Sequence, residues 1–143
     1  MKIKLTGTPD FRFRAESDNG YAFDIGASKS IGGDESGVRP MQALLAGLGG
    51  CAGIDVVNIL KKSRVDFTSV DIDVDGDRKE DRPGVAATPA PYTAIRIKFT
   101  VHGKDIDRAK AEKAVALSLE KYCSVAASLD PGISVTASTH LAP

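Results

Sequence analysis

Phe11-Arg12-Phe13-Arg14-Ala15-Glu16 alternates apolar and polar side chains, and Tyr21-Ala22-Phe23-Asp24-Ile25 does the same. A period of two is that of a half-buried strand. Asp18-Asn19-Gly20 lies between them, and Asn-Gly is a strong two-residue hairpin signal because both positions tolerate positive φ. Residues 2–25 therefore read as strands, with a hairpin over 11–25. Residues 26–38, rich in Gly, Ser and Asp, read as a loop. A helix is predicted from Met41 to about Lys62, with Pro40 at its first position, where a missing N–H costs nothing. Leu44, Leu45, Leu48, Cys51, Ala52, Val56 and Ile59 give it an apolar face at i, i+3, i+4 spacing. Gly47, Gly49, Gly50 and Gly53 are costly there, at roughly 0.8–1 kcal/mol each relative to Ala. A helix that accepts them predicts close backbone approach around Cys51.

Beyond the helix, Phe67, Val70, Ile72 and Val74 alternate with Asp71, Asp73 and Asp75, which predicts a strand over 65–79. A Pro/Ala/Gly-rich loop follows over 80–91. Ile95, Ile97, Phe99 and Val101 alternate with Arg96, Lys98 and Thr100 in a strand from Tyr92 to Val101. Asp105 or Asp107 can cap a second long helix over 108–129. Its apolar positions are Ala111, Val115, Leu119, Tyr122, Val125 and Ala126, and Pro131-Gly132 ends it. A last strand covers 133–139. The order hairpin, helix, two strands, helix, strand predicts an α+β fold with a mainly antiparallel sheet, in one domain over 1–143.

Composition narrows the partners. The chain has 143 residues, with 19 basic and 19 acidic side chains and a formal net charge of zero. That leaves no basic field for nucleic acid or an anionic membrane, and no electrostatic barrier to association with a second copy. The N-terminus lacks an apolar signal-peptide region. The longest weakly polar run, 43–54, is too short for a membrane span and carries four glycines. A cytoplasmic location is expected. In a reducing compartment a purely structural disulfide is disfavoured. Cys51 and Cys123 are then either inert core residues or a redox pair, and spacing alone leaves both readings open.

Several motifs are set aside. Asp71-Ile72-Asp73-Val74-Asp75-Gly76 imitates half of a calcium loop, but the twelfth position is Arg82, where a bidentate glutamate is needed. His102 and His140 have no neighbouring ligand cluster, so no metal site is expected. Asp55 lies one helical turn beyond Cys51; it either touches a site there or is satisfied by a nearby donor or solvent. No phosphate loop or Gly-x-Ser-x-Gly elbow is present.

Arg39-Pro40-Met41-Gln42-Ala43-Leu44-Leu45 followed by Leu48-Gly49-Gly50-Cys51 resembles the nucleophile helix of the OsmC/Ohr family, in the branch with a Gly-Gly-Cys motif. Cys51 falls eleven positions after Pro40, as in that family. Glu120-Lys121-Tyr122-Cys123-Ser124-Val125-Ala126 resembles its second cysteine segment. The resemblance implies curved antiparallel sheets around two long central helices in an intertwined homodimer. It further implies a stress-response, antioxidant peroxidase acting on organic hydroperoxides, with Cys51 peroxidatic and Cys123 resolving through a Cys51–Cys123 disulfide. A dithiol, lipoyl-type in parts of the family, is the reductant, and no metal or organic cofactor is needed.

The family also places a glutamate-held arginine at the nucleophile. Here Met41 and Gln42 follow Pro40 where the glutamate is expected, so Arg39 is the candidate cation, supported by Gln42 and Met41, with Arg12 and Arg14 as alternatives. This departure sustains a rival reading, a non-catalytic dimer binding an apolar small molecule. A protein thiol–disulfide oxidoreductase is a third reading, disfavoured because Cys-x-x-Cys is missing.

Overall fold

The structure is a computed structural model that describes residues 1–79 and 89–143. Most of the loop over 80–91, including Arg82, lies outside those residues. The chain forms two compact units, Met1–Leu44 and Leu45–Pro143.

In the first unit, β1 (Ile3–Gly7), β2 (Arg12–Ser17) and β3 (Ala22–Gly26) form an antiparallel sheet in chain order. The pairing sets Leu5 against Ala15 and Ala15 against Phe23, with Phe13 opposite Ile25. Side chains alternate between faces along a strand. Ile3, Leu5, Phe13, Ala15, Phe23 and Ile25 therefore share one face, and Lys4, Arg12, Arg14, Glu16 and Asp24 the other. The hairpin forms as predicted, but its loop is longer than a two-residue turn: Ser17 N–H donates to Tyr21 O, and Gly20 N–H to Ser17 O. Only Gly20 takes a positive φ there, +88°. A short 3₁₀ turn over Lys29–Ile31 interrupts the following loop.

Helix α1 spans Pro40–Lys62 and crosses the boundary between the units. Its buried residues are Leu48, Gly49, Ala52, Gly53, Val56 and Leu60. The expected face is thus shifted: Leu44 is exposed, and Leu45, Cys51 and Ile59 are half-buried. The four glycines divide into two kinds. A Cβ on Gly49 would meet Val74 Cγ2 at 2.8 Å, and one on Gly53 would collide with Ile72 Cδ1. The close approach predicted around Cys51 is made there by the strand over Ser69–Arg78. Gly47 and Gly50 face open space.

The second unit holds β4 (Ser69–Arg78), β5 (Tyr92–His102) and β6 (Ser134–Ala142), in that order across one sheet. The inward positions of β5, Ile95, Ile97, Phe99 and Val101, are fully buried. The acidic positions of β4 form a cross-strand ladder with β5. Asp71 pairs with His102 at 2.8 Å, Asp73 with Lys98 at 3.4 Å, and Asp75 and Asp77 with Arg96. The calcium-like spacing is therefore a solvated strand face whose carboxylates are already paired.

Two elements depart from expectation. Strand β6 runs parallel to β5, with Phe99 opposite Thr139, while the other three pairings are antiparallel. The helical segment between β5 and β6 is long enough to carry the chain back over the sheet, which a parallel pair requires. The helix predicted over 108–129 is broken. It consists of α2 (Arg108–Leu117), a π turn (Ser118–Tyr122) and α3 (Ser124–Ala127), with Cys123 extended between the last two. Asp107, and not Asp105, caps α2 by accepting from Lys110 N–H.

Contrary to the expectation of no stretch long enough for a membrane span, one helix meets that length. Within the 23 residues of helix α1, an 18-residue stretch has a mean hydropathy of 1.8, long and apolar enough by composition to cross a membrane because its leucine, isoleucine, valine and alanine residues outweigh its glycines. A core helix passes the same test, yet only 33% of the apolar window of α1 is buried within the chain. Ile54, for example, is 73% exposed.

Candidate functional site

The break in the second helical segment builds the site. Cys123 N–H donates to Ser118 O at 2.8 Å, an i to i+5 bond that closes a π turn, a feature often found at functional positions. Ser118 is fully buried and its hydroxyl donates to Ala52 O at 3.1 Å, fastening the turn to α1 one residue from Cys51. After the turn, Cys123 leaves helical geometry (φ −68°, ψ 101°) and becomes the N-cap of α3. Its Sγ accepts from Ala126 N–H at 3.4 Å. The sequence expectation of a cysteine inside a continuous helix is replaced by a cysteine held at a helix start.

Cys51 and Asp55 project from one face of α1, four residues apart. The Sγ atoms of Cys51 and Cys123 and a carboxylate oxygen of Asp55 all lie within 4.8 Å of one another. Both cysteines are free thiols; Cys51 is half-buried and Cys123 is 3% exposed. Burial pushes the Cys123 thiol up from its ordinary range; the Ala126 N–H opposes this and the Cys51 sulfur adds to it. Asp55 Oδ2 is buried and has no hydrogen-bond partner among the described residues. The two alternatives left open for Asp55 are thereby narrowed to the first: it stands at the cysteines. Neither histidine belongs to this cluster, and His102 is engaged by Asp71.

Arg39, Met41 and Gln42 sit at the start of α1. Gln42 Oε1 accepts from the backbone N–H of Arg39 at 3.2 Å, the return bond of a capping box. Gln42 is thus occupied as a helix cap rather than as an acceptor for a guanidinium. The Arg39 side chain is paired with Glu35 at 2.8 Å. A carboxylate thus reaches Arg39 from the preceding loop, and the sequence reading missed it. Its one local signal is the i, i+4 spacing of Glu35 and Arg39. Met41 is half-buried. Arg12 is paired with Asp34, and Arg14 with Asp24 at 3.3 Å.

Comparison with known proteins agrees with the site's frame. Protein YhfA of Escherichia coli K12 is 33% identical over 136 residues, covering 95% of this chain and 94% of that protein. A hypothetical protein from Aquifex aeolicus VF5 has a structure that superposes with a TM-score of 0.77 at 31% identity, covering 98% and 96% of the two chains. The organic hydroperoxide resistance protein OhrB of Bacillus subtilis shares the fold, with a TM-score of 0.62, 22% identity and 96% of each chain covered. The OsmC-like protein profile matches residues 32–138. Both cysteines, Asp55 and the π turn fall inside that match, and the chain belongs to the OsmC-like family.

Proposed function

We propose that this protein is a thiol peroxidase that reduces organic hydroperoxides. The observation that carries the reading is the approach of two free thiols, Cys51 and Cys123, to within 4.8 Å across otherwise separate elements. Cys51 is the more accessible sulfur and takes the peroxidatic role. Its thiolate attacks the terminal oxygen of the hydroperoxide, the O–O bond breaks, and the alcohol leaves, giving a sulfenic acid. Cys123, buried and with its thiol proton retained, condenses with that sulfenic acid; water leaves and the disulfide forms. An external dithiol restores both thiols by exchange. The hydroperoxide-resistance naming of OhrB, which shares this fold, supports the substrate class.

The proposal extends to a cytoplasmic homodimer in which Arg39, already held by Glu35, supplies the cation that favours the Cys51 thiolate. The apolar surface left open on α1 and on the first sheet supports a second copy. The rival reading, binding of an apolar small molecule, is supported by a groove of roughly 550 Å³ beside Gly50, Ile54, Val57 and Ile72. Neither cysteine lines that groove.

The discriminating experiment is peroxide consumption by the reduced protein with a dithiol, using cumene hydroperoxide and hydrogen peroxide in parallel. Turnover with a preference for the organic peroxide is expected. Cys51→Ser should abolish it, while Cys123→Ser should permit one oxidation and leave a sulfenic acid at Cys51 that dimedone labels. Arg39→Ala should slow that first oxidation. Full turnover by Cys51→Ser would overturn the role given to Cys51, and no turnover by the parent protein would leave the binding reading in its place.

A further inference from the structure

The carboxylate of Asp55 has no part in the peroxidase cycle just described, yet it stands at both sulfurs with one oxygen buried and unpartnered among the described residues. A buried carboxylate oxygen without a donor is costly, because its lost hydration is not replaced. Two thiols beside it are weak donors. A cation would compensate all three groups together.

The donor set selects the kind of cation. Two cysteine sulfurs and one carboxylate oxygen suit a thiophilic, tetrahedral divalent ion, above all Zn²⁺. Calcium and magnesium demand six or more oxygen ligands and are disfavoured. With zinc–sulfur bonds of about 2.3 Å and zinc–oxygen bonds of about 2.0–2.2 Å, tetrahedral ligand atoms stand roughly 3.5–3.8 Å apart. The three atoms here lie within 4.8 Å of one another, so small side-chain rotations close the gap. The ligands come from rigid supports: Cys51 and Asp55 from one face of α1, Cys123 from the N-cap fixed by the π turn and the Ser118–Ala52 bond. Three protein ligands leave a fourth position open to water or another ligand.

We propose that Cys51, Asp55 and Cys123 bind one Zn²⁺-class ion when the cysteines are reduced, and that disulfide formation ejects it. Binding replaces the two thiol protons, which leave to solvent, with two metal–sulfur bonds. Oxidation by a peroxide removes two electrons from the sulfur pair, reduces the peroxide to alcohol and water with two protons taken up from solvent, and leaves a disulfide that no longer supplies thiolate ligands. Metal occupancy and disulfide are therefore mutually exclusive states of one site.

The test uses Co²⁺ as an optical probe on the full-length reduced protein, stripped with chelator and kept anaerobic, followed by displacement with Zn²⁺. One ion per chain is expected, with a sulfur-to-cobalt charge-transfer band that Zn²⁺ abolishes. Asp55→Asn should keep the band and weaken affinity by at least about tenfold. Cys123→Ala should lose about half the band and most of the affinity. Circular dichroism verifies that each variant is folded, and Asp55→Glu, which keeps the ligand atom, should recover part of the affinity if Asp55→Asn is impaired. His102→Ala, which removes the surface Asp71–His102 pair, should change nothing. Protein oxidised to the disulfide should not bind. The proposal is overturned if the reduced protein shows no charge-transfer band, if Asp55→Asn binds as tightly as the parent, or if the oxidised protein binds equally well. Peroxide turnover of the stripped protein is read separately, so loss of one result leaves the other standing.

Discussion

The two sheets of this chain are built from the same kind of alternating sequence and reach opposite ends. In the second sheet the inward row Ile95, Ile97, Phe99 and Val101 is fully buried. In the first sheet the equivalent row remains open to solvent: Phe13 and Phe23 are each 43% exposed, and Ile3 and Leu5 more so. Among its apolar strand residues only Ala15 is buried. Alternation specifies which side of a strand is apolar, but not whether this chain covers it. The inward row of the second sheet is buried together with α1 and α2; the first presents an apolar face that stays exposed.

The sharpest way to test that contrast is to hollow both sheets. Phe99→Ala should destabilise the fold by about 3–5 kcal/mol, read as a lowered denaturation midpoint, because a buried ring leaves a cavity. The same substitution at Phe13 or Phe23 should leave the isolated chain's stability within about 1 kcal/mol. An equal loss at Phe13 and Phe99 would erase the distinction.

A second copy is the proposed cover, and Phe13→Ser or Phe23→Ser should then weaken self-association by about tenfold, or about 1.4 kcal/mol. Sedimentation across a concentration series measures this. A parent protein that sediments as a monomer at micromolar concentration would remove the second copy from the account.

The glycines of α1 repeat the comparison at a finer scale. Gly49→Ala should destabilise the fold, because its Cβ would press on Val74 Cγ2 at 2.8 Å. Gly47→Ala, with nothing within 4 Å, should stabilise the isolated chain by about 0.8–1 kcal/mol through helix propensity. If Gly47→Ala or Gly50→Ala instead weakens association, the open glycines belong to the contact between copies. Thermal denaturation and sedimentation on the same variants separate the two effects.

The smallest effect concerns the loop beside the first sheet. Hydrogen bonds from Ser36 and pairing with Arg12 lower Asp34 to about 2 from 3.8. A depressed carboxylate contributes stability that is fully present above the unfolded value and is lost as pH falls through the folded one. The loop contacts of Asp34 should therefore weaken between about pH 4 and 2. An NMR titration of its carboxyl carbon reads this directly; a midpoint near 3.8 would show that the bonds to Ser36 and Arg12 do not hold in solution.

Much of this architecture was legible because it is local. Pro40 marked the start of α1, and the alternation in β4 and β5 gave both strands and their faces. The family likeness pointed to the nearness of Cys51 and Cys123, which their spacing could not. What escaped was set by long-range geometry. Strand direction has no local signature, so the parallel docking of β6 was unreadable. The break at Cys123 was masked because apolar spacing continues from Leu119 through Val125, while the interruption lies in one backbone bond between residues 118 and 123. Glu35 reaches Arg39 from a loop with a left-handed residue at φ +58°, which no pattern of hydrophobicity encodes. Asp55 was visible as a neighbour of Cys51, but its standing at Cys123 depends on that same break.

The π turn also sets how this chain tolerates change in length. It holds one more residue between its bonded ends than a regular helix would. Removing one residue between Ser118 and Cys123 would let the same ends close as an ordinary helical turn, and the backbone that leaves the helix at Cys123 would no longer be set by the i to i+5 bond. Cys123 would survive in the sequence, but the turn that presents its sulfur beside Cys51 would be lost. A one-residue deletion here is therefore more damaging than many substitutions, and an intact pair of cysteines in a relative is no guarantee of an intact pair of sulfurs unless the count between Ser118 and Cys123 is kept.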